Sequence, residues 1–195
     1  MKKTWTALAI AGLAGTALVL PATAPASAAP TGKKHCVTNV SDETTSCYGT
    51  FRQAIASATS GRITDAPLNP ADAVASKAFE KRINAITELN KAGATQLAVT
   101  LSIEYDWAYE QTNEGSVTYT ADYGCDNTND VDWQVNWVGD DWNDRISSFH
   151  NYSNCSNIHF AHVDFGTPSN GIYRSVGSMA DTGGLNNQTS SIQWV

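Results

Sequence analysis

The chain is poor in the residues and patterns that mark most enzymes. Only four histidines and four cysteines occur among its 195 residues, and no two cysteines sit close together. Structural zinc sites draw their ligands from short Cys/His spacings, so this scarcity argues against one. No GxSxG elbow, phosphate-binding glycine loop or HExxH pair is present, which leaves acyl-transfer, nucleotide and zinc-protease chemistry without a motif. Carboxylates are plentiful, but nothing in their spacing selects a catalytic pair. His159, His162 and Asp164 could be drawn as a metal cluster. On a strand, however, residues three apart face opposite sides, so the two imidazoles do not converge.

Positive charge is also scarce. Lys and Arg total 12 against 19 Asp and Glu. Two of the lysines, Lys2 and Lys3, open a segment with an apolar run over Ala7–Leu20 and small residues over Pro21–Ala29, including Ala26-Ser27-Ala28. This is the pattern of a bacterial-type secretory signal cleaved near Ala28 or Ala29, and its apolar run is too short for a membrane anchor. Without residues 1–29 the basic count is 12 − 2 = 10 against the same 19 acids, a formal charge of −9. So acidic a chain is a poor partner for nucleic acid or an anionic membrane, and no later stretch is long and apolar enough to span a bilayer. The reading is therefore a secreted protein. In that setting Cys36, Cys47, Cys125 and Cys155 imply disulfides. Three connectivities are open, and Cys36–Cys47 with Cys125–Cys155 is favoured because each pair lies within one block of composition.

The texture changes near residue 93. Residues 30–93 read as mainly helical, led by a short hairpin over His35–Cys47. Thr50 and Gln53 form a capping box, predicting a helix over Phe51–Thr59. Asn69-Pro70 starts a second helix reaching Ala92, with Val74, Ala78, Phe79, Ile83, Ile86 and Leu89 on its apolar face. Residues 94–195 are rich in Val, Thr, Tyr, Trp, Gly and Asn, with a strand predicted over Gln96–Tyr105 and turns recurring throughout, as in a β-sandwich. The fold class expected is α+β. Tyr105, Trp107, Trp133, Trp137 and Trp142 make this half aromatic, which suits a core and would also suit sugar stacking.

One pattern occurs twice in the β half. Asn143-Asp144-Arg145-Ile146-Ser147-Ser148 and Asn186-Asn187-Gln188-Thr189-Ser190-Ser191 both read [Asn/Asp]-[Asn/Asp]-x-x-[Ser/Thr]-Ser. Upstream of each stands an aromatic residue with glycine six positions later, Tyr109 to Gly115 and Phe160 to Gly166. The shared order of features indicates an internal duplication, about 97–152 and 153–195.

This duplicated pattern resembles the βγ-crystallin domains of microbial calcium-binding proteins. The resemblance implies a sandwich of two Greek-key motifs and up to two calcium ions. It implies side-chain ligands from Ser147 and Ser190, backbone carbonyls from Arg145 and Gln188, and Asp144 and Asn187 each reaching into the other motif's site. Calcium, a hard cation taking six to eight oxygens, suits such donors. The function so implied is non-enzymatic: a calcium-binding protein whose ions stabilise the fold. Two alternatives attach to the same fold. Ser116–Gly124 is similar to a stretch of small bacterial metalloproteinase inhibitors, which would make a secreted protease the partner. Other small relatives are antimicrobial factors.

Overall fold

Cys36 and Cys47 face each other across a hairpin of β1 (Lys34–Asn39) and β2 (Thr44–Tyr48), and a disulfide joins them. This is the computed structural model of the chain, describing residues 34–93, 97–108, 112–174, 177–178 and 183–195. The signal segment read over residues 1–29, and Tyr109, lie outside the described residues. The second expected pair, Cys125–Cys155, is also joined, so both disulfides are those favoured by composition.

Helix α1 (Phe51–Ala58) starts where the capping box places it, with the Thr50 side chain accepting from the Gln53 amide. The single helix expected over Pro70–Ala92 is instead two, α2 (Pro70–Ala75) and α3 (Lys77–Lys91). Ser76 breaks it. Its backbone is extended, at φ −88° and ψ 106°, and its hydroxyl caps α3 by accepting from the Phe79 amide. Of the predicted apolar stripe, Val74, Phe79, Ile83 and Ile86 are buried, Ala78 and Leu89 are exposed, and Thr87 takes an inner position.

The remaining strands are β3 (Val99–Ala108), β4 (Thr112–Ala121), β5 (Trp133–Val135), β6 (Ser148–Asn151), β7 (Asn157–Phe160), β8 (Gly177–Ser178) and β9 (Ser191–Trp194). They form two sheets, one of order β2-β1-β4-β3-β6-β8 and one of order β5-β9-β7. Every pairing is antiparallel except β1 on β4, which is parallel. The fold is α+β. Two strands cross between sheets. β5 lies between β4 and β6 in sequence yet pairs with β9, and β8 lies between β7 and β9 yet pairs with β6. Each half of the duplication thus lends a strand to the other's sheet.

The large sheet is covered on both faces. Val99, Leu101, Val117, Tyr119, Trp142, Phe149, Ile192 and Trp194 pack between the sheets. Phe51, Ile55, Phe79, Ile83 and Ile86 of the helices pack with Ile103, Tyr105 and Tyr152 on the opposite face. A register shift between Thr100 and Ser102 makes the switch possible. Leu101 is the extra residue, and the strand's apolar side turns from the sandwich to the helices beyond it. The helical and β stretches, distinct in composition, therefore share one sheet, and Gly32–Val195 forms one compact unit.

Candidate functional site

The two hexapeptides adopt the same turn. Asp144 and Asn187 both have left-handed backbones, at φ 57° and 54°. Asn and Asp tolerate that region better than other non-glycine residues, which is a local reason for their place in the pattern. The amides then pair reciprocally. Asp144 N donates to the Thr189 carbonyl (3.2 Å) and Asn187 N to that of Ile146 (3.1 Å). Arg145 N donates to Trp142 O and Gln188 N to Leu185 O, while Ser147 N meets Tyr105 O and Ser190 N meets Phe160 O. Two copies of one turn therefore clasp each other about a local twofold relation.

That relation corrects the alignment of the upstream aromatics. The residue of the first half standing where Phe160 stands is Tyr105, not Tyr109. Nor do the two glycines match. Gly166 has φ −69°, whereas Gly115 sits in β4 at φ 152°, against the Lys34 backbone and the Trp142 ring.

The clasp gathers oxygens from both halves. Ser190 Oγ lies 2.7 Å from Asn143 Oδ1 and 3.0 Å from the Ala161 carbonyl oxygen. Asn143 Nδ2 donates in turn to Asp144 Oδ2 at 2.8 Å. Asn143, Asp144, Ala161, His162, Asn187, Gln188 and Ser190, with Trp137 and Val163, line an open cavity of about 600 Å³. The separations around Ser190 are those of ordinary O–H···O hydrogen bonds, so it is the kinds of oxygen gathered that bear on an ion. Hydroxyl, amide, carboxylate and carbonyl oxygens are the donors a hard cation selects. The residues present fit calcium.

The predicted residues are distributed unevenly. Asp144, Gln188 and Ser190 border this cavity, and Asn187 borders it as well. Arg145 and Ser147 are not among the residues lining it. Ser147 is buried and its hydroxyl donates to the Tyr105 carbonyl at 3.3 Å. The Arg145 guanidinium donates to Asp106 (3.3 Å) and to the Asp141 carbonyl (3.1 Å), and lies over the Trp142 ring. The first cluster thus already holds a built-in cation. Sequence reasoning missed Asn143 and the Ala161 carbonyl. Asn143 could have been found as the first residue of its hexapeptide, but a backbone carbonyl leaves no residue signature.

His159 belongs to a different network, fully buried between the sheets. The Asn170 amide accepts from the His159 backbone N–H (2.8 Å) and its NH₂ donates to His159 Nδ1 (3.2 Å). His159 Nε2 therefore carries the hydrogen and donates to Glu104 Oε2 at 3.0 Å. Glu104 Oε1 accepts from Ser102 Oγ (2.7 Å) and Asn157 Nδ2 (3.2 Å), and Ser102 accepts from Trp194 Nε1 (3.1 Å). Every donor finds an acceptor, so the network fixes β3, β7 and β9 against one another. It keeps His159 apart from the exposed His162, and no group of three or more His, Cys, Asp or Glu among the described residues is placed to hold a metal.

Ser116–Ala121 is buried in β4 with β1 on one side and β3 on the other, while Asp122 and Tyr123 beyond it are exposed. No helix among the described residues is long and apolar enough to cross a membrane. Comparison with protein-family models, with curated proteins and with solved structures finds no match.

Proposed function

We propose that this is a secreted, non-enzymatic calcium-binding protein of βγ-crystallin-like build, in which an ion at the Asn143–Ser190 clasp stabilises the fold. The observation that carries the reading is the convergence of oxygens from both halves of the duplication: Asn143 Oδ1 and Asp144 from the first turn, Ser190 Oγ and the Ala161 carbonyl from the second. A lone polar turn would account for each hexapeptide separately, but not for their meeting. The exchange of β5 and β8 between sheets supports the Greek-key part of the reading. The signal-like residues 1–29 and the two disulfides support secretion.

The second cluster borders an open cavity, while in the first the Arg145 guanidinium already pairs with Asp106. The two sites are accordingly unequal, and the stronger one is built on Ser190. At calcium one hundredfold above the dissociation constant, an occupied site adds about 2.7 kcal/mol. For a unit of roughly 160 residues this is a rise of about 5–10 °C in melting temperature. The test is a thermal melt in chelator, in millimolar calcium and in millimolar magnesium, with Ser190→Arg and Ser147→Arg variants. A calcium-specific rise lost in Ser190→Arg and largely kept in Ser147→Arg is the expected result. An unshifted wild type would reduce the hexapeptides to turns.

A further inference from the structure

The cavity beside the clasp is far larger than an ion needs, and its outer wall is of another chemistry. Trp137 and Val163 are 38 % and 48 % exposed there, while Trp142 and Trp194 are buried at 4 % and 0 %. Trp137 thus leaves part of its surface open to solvent, which Trp142 and Trp194 do not. The same cavity is lined by the uncharged polar residues Asn187 and Gln188, by His162 and by Val163. An apolar ring and two amide side chains lining one concavity of about 600 Å³ match a ligand with one C–H face and a rim of hydroxyls.

We propose that this cavity binds a saccharide, with a sugar ring laid on Trp137 and its hydroxyls met by Asn187 and Gln188. Charge excludes the main competitors. Asp144 in the wall and a chain of formal charge −7 disfavour phosphate and other anions. A protein partner would need about 800 Å² of contact on this side, which two half-exposed side chains do not supply. The proposed contacts are the side chains of Trp137, Asn187 and Gln188, and not the Asn143, Asp144, Ala161 and Ser190 oxygens of the proposed ion site, so saccharide binding does not depend on the ion reading.

The experiment is calorimetric and tryptophan-fluorescence titration of the purified secreted chain. The probes are soluble tetra- to hexasaccharides of glucose, N-acetylglucosamine, xylose and mannose, in millimolar calcium and again in chelator. At least one probe should bind in one of the two conditions, and Trp137→Ala should weaken it tenfold or more. Trp137→Ala should meanwhile keep the wild-type melting temperature in chelator and the wild-type response to calcium. Absence of binding by every probe in both conditions would overturn the proposal, as would binding unchanged in Trp137→Ala. A Trp137→Ala variant that folds but loses its calcium response would assign the residue to the ion cluster and also overturn it. The wild-type melt in calcium reads the ion site separately, so failure of one reading is distinguishable from failure of the other.

Discussion

Replacing Phe79 by alanine tests whether the helices and the sandwich are one folding unit. Phe79 is 3 % exposed on α3, with its ring 6.5 Å from that of Phe51 and 6.4 Å, edge-on, from that of Tyr152. Tyr152 follows β6, so the contact joins the helical layer directly to the large sheet. Truncating a fully buried phenylalanine costs about 3–5 kcal/mol through lost transfer energy and the cavity left behind. Spread over one unit of roughly 160 residues, with about 2–4 °C per kcal/mol, this lowers the melting temperature by about 6–20 °C. The assay follows two signals in one thermal melt: far-ultraviolet ellipticity for α1–α3, and near-ultraviolet ellipticity for Trp142 and Trp194 inside the sandwich. Both should fall together, in the wild type and in the variant, with the same shift. A tryptophan transition left at its wild-type temperature while the helical signal melts early would refute the single unit, and the helices would then be an appended domain.

Three further outcomes follow from particular contacts. Gly115→Ala should destabilise by about 2 kcal/mol or more in a denaturant titration, because a Cβ at φ 152° would collide with the Lys34 carbonyl and stand 2.9 Å from the Trp142 ring. His150 is buried and stacked on Tyr152, and its Nδ1 has no partner among the described residues. Burial holds its pKa below the ordinary 6.5, with the Glu80 charge opposing and Lys77 adding to the shift. The unfolded chain therefore takes up a proton near pH 6.5 that the folded chain refuses, so stability falls as pH drops below 6.5. The slope is at most about 1.4 kcal/mol per pH unit, and melts between pH 7.5 and about 5 should show it reduced in His150→Gln. Reducing Cys125–Cys155, whose partners are 30 residues apart, should cost about 4 kcal/mol by loop entropy. Melts with and without reductant, in Cys125→Ser/Cys155→Ser and in Cys36→Ser/Cys47→Ser, separate its share from that of the shorter loop.

Features fixed by neighbours along the chain were legible beforehand. The Thr50–Gln53 cap, the Asn69-Pro70 start and the hairpin closed by Cys36–Cys47 each depend on residues within about a dozen positions, and each is found. The break at Ser76 was missed although serine is a cap residue. The apolar spacing of Val74, Phe79 and Ile83 continues through it, and periodicity reports a face, not the backbone that carries it. At the site, the hexapeptides were visible because left-handed backbone restricts which residues can stand there. Their partners were less so: Asn143 meets Ser190 across 47 positions, and Ala161 contributes only a main-chain oxygen.

The sequence by itself therefore determined the α+β class, the caps at Thr50 and Asn69 and the duplicated turn, and favoured the disulfide pairs found, since each rests on local geometry, composition or internal repetition. Tertiary structure alone decided which face each apolar residue buries. Val99, Leu101, Ile103 and Tyr105 alternate without interruption, as one face of one strand would, yet the extra residue at Leu101 sends the first two into the sandwich and the last two into the helices. It also decided that Ser190 has Asn143 and Ala161 beside it while Ser147 donates to Tyr105. The physical reason is the same in both cases. A bulge and a strand exchange are settled by what packs on the far side of a sheet, and no spacing along the chain records that.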